Sequence, residues 1–128
     1  MLPDWPDGTV AVLSTTGPHA IPVSTAVRKD ATTIHVALAH GRDSLARLRD
    51  DPRCTLTVLA ADTAFTAHAH AAVAGGDDRV AYVRLAVDEV QDHLKPTFAI
   101  EDGVRWRWTD GDAEAGDAAV RAALRELA

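Results

Sequence analysis

The sequence predicts a mainly β fold: six to seven antiparallel strands closed into a small barrel, with one short internal helix and one helix at the C-terminal end. Three observations predict it. Short β-branched runs with period-two alternation recur along most of the 128 residues, divided by turns rich in Gly, Pro and Asp. Between them, only the stretch after Gly41 changes to helical spacing, and a helical stripe returns after Asp112. A chain so rich in strands must pair or cover its sheet edges, which favours a barrel over an open sheet.

The first strand is Thr9–Ser14, TVAVLS, ended by the turn Thr15-Thr16-Gly17-Pro18. HAIPVSTAV follows as a second strand, with Ile21, Val23 and Val27 at half-buried spacing. Pro22 donates no ladder hydrogen bond, so an edge or a local break is expected there. After a turn at Arg28-Lys29-Asp30 comes TTIHVALA, and the three strands read as an antiparallel meander. Asp43 is the expected N-cap of a short helix with Leu45 and Leu48 on one face. Arg47, four residues on, supports that helix, and Pro52 stops it. CTLTVLA and FTAHAHAAVA read as strands, the second closed by turn glycines Gly75-Gly76. Arg79–Leu94 fits a helical heptad and strand alternation equally, and its valine density decides for strand. VRWRW predicts a strand with Val104, Trp106 and Trp108 on one face and Arg105 and Arg107 on the other. The tail is a helix whose stripe is Gly116, Val120, Ala123, Leu124 and Leu127.

The length fits one domain, residues 1–128, with 47% apolar and 25% charged residues. A net charge of −6 argues against a general nucleic-acid or anionic-membrane surface. The single cysteine, Cys54, excludes an internal disulfide, and its alternating apolar context predicts a buried, inert thiol. The first residues, MLPDWPDGTV, carry no basic leader, and no apolar run reaches transmembrane length. A cytoplasmic location is expected, and the richness in Ala, Arg, Asp and Val points to a high-GC bacterial source.

Two segments, GTVAVLSTTGPHAIPVSTAV and GRDSLARLRDDPRCTLTV, carry a resemblance. With the strand between them, they resemble the pyridoxamine 5'-phosphate oxidase-like FMN-binding split barrels. The Leu48-Arg49-Asp50-Asp51-Pro52-Arg53 stretch matches the end of that family's short helix, and the likeness spans roughly residues 8 to 108. The resemblance implies a split β-barrel, a homodimer and two equivalent cofactor sites at the subunit interface. It places the cofactor phosphate at the start of the short helix, on Arg42, Ser44 and Arg47, where backbone N–H groups and the positive dipole end also point. It lays the flavin ring along Pro22, Val23, Ser24 and Thr25. Independently of the resemblance, Trp106 and Trp108 are planar aromatics that can cover a flavin, with core or dimer interface as the competing place, and Trp106 is the expected cofactor contact. Many family members carry Lys at the position of Ser44, and a hydroxyl does not replace that charge.

The expected function is that of an FMN-dependent oxidoreductase acting on a small molecule, with the redox chemistry residing in the cofactor. A deazaflavin coenzyme is the competing cofactor, and a non-catalytic binder of a planar ligand such as haem is the competing class. His68 and His70 share a strand face like a metal pair, but no third ligand stands at suitable spacing and no metal is assigned. No serine lies in a nucleophile-elbow context, and no catalytic residue is assigned.

Overall fold

Alternation of buried and exposed side chains decides the strands in this computed structural model, which describes residues 1–128. In chain order the elements are β1 (Ala11–Thr15), β2 (His19–Val23), β3 (Val27–Asp30), β4 (Thr33–Ala39), α1 (Asp43–Asp50), β5 (Arg53–Ala60), β6 (Thr63–Gly76), β7 (Val80–Asp92) and α2 (Gly111–Glu126). The seven strands form one antiparallel sheet in the order β2-β1-β5-β6-β7-β4-β3. The fold is the mainly β, seven-stranded barrel with two helices that the sequence predicts. The strand assignment of Arg79–Leu94 is correct, as β7.

The pairing differs from expectation in several places. HAIPVSTAV is two strands, not one. β2 pairs with β1 and β3 pairs with β4, so the expected meander is two hairpins at opposite ends of the sheet. The break at Ser24–Ala26 has a physical cause. The Thr25 hydroxyl donates to the Ala37 carbonyl (3.1 Å), and the Ala26 carbonyl accepts from Trp5 Nε1 (3.0 Å). Arg28-Lys29-Asp30 lies in β3, and the turn is at Ala31-Thr32, where the Asp30 carboxylate accepts from the Thr32 backbone N–H (2.9 Å). Gly75 and Gly76 are the last residues of β6, opposite Tyr82 and Ala81, rather than the turn. Asp43 is the first residue of α1, and Arg42 occupies the cap position without a side-chain hydrogen bond. VRWRW forms no strand: Trp106 and Trp108 pack edge-on with ring centroids 5.0 Å apart.

One core fills the barrel. Leu13, Leu56, Val58, Phe65, Val83 and Leu85 point inward, and Leu45 and Leu48 reach the same core from one face of α1. The N-terminal segment contributes Trp5, whose ring lies 5.7 Å from Phe65 centroid to centroid. α2 covers the outer side of β3 and β4 through Leu124, which packs on Val27 and Ala37. The buried His35 Nδ1–H donates to the Leu124 carbonyl (2.9 Å). Of the expected stripe, Val120, Ala123, Leu124 and Leu127 face inward, whereas Gly116 is exposed. An ion pair between Asp117 and Arg121, both side chains nearly buried, fastens the helix, and Ser24 donates to the same Asp117 carboxylate (3.3 Å).

Burial pushes the Cys54 thiol up to about 12. The folded protein is therefore expected to leave Cys54 unmodified by a disulfide reagent at pH 8, with complete reaction in denaturant. Rapid labelling of the native protein would contradict this.

Candidate functional site

The eight residues expected to hold a cofactor fall into two groups. Pro22, Val23, Ser24 and Trp106 meet around one open hollow of ≈ 200 Å³, together with Val10. β2 brings the first two to the sheet edge, where Pro22 is exposed and Val23 points into the core. Trp106 arrives from the segment before α2, and its indole N–H donates to the Gly8 carbonyl (3.0 Å). That bond holds the ring over the end of β2 with 40% of its surface exposed. Ser24 sits on the link between the two edge strands, with its hydroxyl bound to Asp117. Thr25 does not line the hollow; its hydroxyl is turned to Ala37 of β4. The lining is neutral throughout, and Ser24 and the Trp106 N–H are already hydrogen-bonded. Such a surface favours the face of a planar, uncharged ring.

The second group, Arg42, Ser44 and Arg47, gathers at the start of α1. Ser44 is 1% exposed, and its Oγ lies 3.0 Å from His19 Nε2. The other ring nitrogen of His19 lies 4.0 Å from the Asp43 carboxylate. With the proton on that nitrogen, Nε2 accepts the Ser44 hydroxyl hydrogen. Arg47 Nε donates to Asp43 (2.9 Å), and its Nη1 donates to the Thr16 carbonyl (3.0 Å). The Arg47 hydrogen bond and charge, with a smaller contribution from His19, hold the Asp43 carboxyl below its ordinary range. Arg42 is exposed and makes no salt bridge.

These contacts test whether a phosphorylated flavin fits. The ring half meets no opposing charge in the neutral hollow. The phosphate half finds little to hold it: Ser44 and Arg47 are engaged within the chain, and Asp43 offsets the Arg47 charge in the first turn of α1. His19 and Asp43 were absent from the expected site, because only the β1–β2 hairpin folding back on α1 brings His19 to Ser44. Val10 was also missed, since it reads simply as part of a strand.

A larger hollow of ≈ 420 Å³ lies on the outer sheet face, where β5 and β6 set Arg53, His68 and His70 beside Asp88. Its charges are paired: Arg53 with Asp51 (2.7 Å) and His70 Nδ1 with Asp88 (2.5 Å). No three of the His, Cys, Asp and Glu side chains stand close enough to hold a metal ion. Arg105 lines a separate hollow with Asp7 and Asp102 that shares Val10 and Trp106 with the Pro22–Trp106 hollow, and Arg107 is exposed. No helix is long and apolar enough to cross a membrane.

No family model matches the chain, and neither does any curated protein sequence. Solved structures do. The chain is similar to HupZ of Group A Streptococcus, with a TM-score of 0.58 at 10% identity over 77% of this chain and 90% of that one. It is similar to nitrilotriacetate monooxygenase component B from Mycobacterium thermoresistibile, with a TM-score of 0.58 at 11% identity over 81% and 87%. A Listeria innocua protein described as a candidate pyridoxamine 5'-phosphate oxidase aligns with a TM-score of 0.55 at 14% identity over 66% and 88%. The chain therefore has the split-barrel fold of the pyridoxamine 5'-phosphate oxidase-like proteins.

Proposed function

We propose that this protein binds a flavin-type ring in the hollow formed by Val10, Pro22, Val23, Ser24 and Trp106, and works as a homodimeric oxidoreductase on a small molecule. The observation that carries the reading is that hollow: it joins the strand end and the tryptophan that the sequence singles out, and its lining is neutral. The fold supports it, because structures described as oxidase and monooxygenase components share the same barrel. A bound flavin or deazaflavin would supply hydride or electron transfer. The chain's own part is binding, orientation and exclusion of water. Trp106 covers the ring, and the Ser24–Asp117 bond fixes the strand end beneath it.

A homodimer is proposed from the exposed apolar side chains on one side of the sheet. Val12, Leu59, Val104 and Trp106 are 40% to 62% exposed. Val12 stands opposite Pro22 and Thr57 in the ladders, and Leu59 follows Thr57 on the same face of β5. A second copy would cover such a patch.

Absorption spectra with FMN titration test the reading. Saturable quenching of flavin fluorescence is expected, and Trp106→Ala should weaken binding about tenfold, the scale of one aromatic stacking contact. No quenching would remove the ring site. A planar-ligand carrier is the second reading, favoured by a hollow that holds no acid or base. Stopped-flow reduction separates the two: an enzyme passes electrons to the bound ring faster than to free flavin, and a carrier does not.

A further inference from the structure

We propose that the ligand of this barrel is recognised as a flavin-type ring without its terminal phosphate, because Asp43 engages Arg47 at the start of α1 and Ser44 is buried against His19. The inference rests on the ring site proposed above and specifies what that site selects.

The first turn of a helix presents free N–H groups and a positive partial charge, which draw an anion. In this chain an acidic side chain already stands in that first turn. Asp43 opens α1, and its carboxylate accepts from Arg47 one turn on. The Arg47 guanidinium is engaged on both sides. It reaches the Thr16 carbonyl by lying against Gly17, where any Cβ would collide with its Nη1. Gly17 also holds a left-handed φ of 114°, so the turn that seats Arg47 favours glycine. Ser44 is sealed beneath His19. Of the three groups placed to grip a phosphate, only Arg42 is left. The Asp43–Arg47 pair carries no net charge, so a dianion there would meet one cation, the exposed Arg42, whose attraction is screened by water. The ring hollow, by contrast, contains no charge and is indifferent to whether the ligand's far end is phosphorylated.

The test is a pair of titrations at one ionic strength, riboflavin and FMN, each followed by flavin fluorescence quenching. The two dissociation constants are expected to agree within about threefold. In Asp43→Asn the amide oxygen can keep the Arg47 bond while the charge is removed. FMN should then bind about tenfold more tightly, with riboflavin unchanged and the circular dichroism melt close to that of the parent. FMN binding to the parent protein more than about threefold tighter than riboflavin overturns the inference and leaves the ring site standing. An Asp43→Asn protein with unchanged FMN affinity overturns it too. If neither flavin binds, the ring-site reading falls and takes this inference with it.

Discussion

Phe65→Ala is expected to cost about 3–5 kcal/mol of folding free energy, read by urea unfolding followed by circular dichroism. Phe65 is 1% exposed and sits where β6 passes the N-terminal segment. Removing its ring deletes buried surface and takes away the face on which Trp5 rests. The cavity cannot close easily, because Trp5 is held from behind by its hydrogen bond to the Ala26 carbonyl. Against a typical total stability of about 5–15 kcal/mol, such a loss leaves a marginal protein. Phe65→Leu should cost less than half as much. A loss below about 1 kcal/mol for the alanine variant would mean that Trp5 does not depend on this ring for its seat.

Asp117→Ala is expected to destabilise by about 3–5 kcal/mol, the cost of stranding one member of a nearly buried ion pair. The side chains of Asp117 and Arg121 are 11% and 13% exposed, and Arg121 Nε already has no partner. Removing the carboxylate leaves the guanidinium without its counter-charge under α2 and frees the Ser24 hydroxyl. A double variant, Asp117→Leu with Arg121→Met, should recover most of the loss, since neither charge then needs solvation. If the double variant is no more stable than Asp117→Ala, the ion pair is not the source of the cost. Because Ser24 borders the proposed ring hollow, both variants also report whether α2 sets the shape of that hollow.

Local pattern in the sequence carries the strands well and their partners poorly. Cys54–Ala60 alternates so regularly that its inward residues, Leu56 and Val58, could be named in advance, and both are fully buried. Val80–Asp92 was recognisable because its valines suit a strand better than a helix. What spacing does not encode is where a strand goes next. HAIPVSTAV looks like one strand because the Thr25 hydroxyl and the Ala26 carbonyl find their partners on remote segments, Ala37 and Trp5. VRWRW alternates well enough to be a strand, yet Trp106 bonds to Gly8 and packs on Trp108 instead. At the site, Pro22, Val23 and Ser24 came from a whole-chain likeness and Trp106 from its planar aromatic side chain; that they meet in one hollow is not encoded in spacing. The engagement of Ser44 by His19 was not readable, since it depends on how a hairpin turns back over a helix.

The two edges of the sheet, β2 and β3, are consecutive in the chain and joined by only Ser24–Ala26. Whatever the rest of the molecule does, Val23 and Val27 stay within roughly 14 Å of each other. Bringing the first and last strands of the sheet together therefore demands almost no loop-closure entropy, even in the unfolded chain. The cost of assembly falls on the ladders β1–β5 and β4–β7, whose strands are distant in sequence. Folding should begin as two hairpins hinged at Ser24–Ala26, and the slow event should be the entry of β5, β6 and β7 between them.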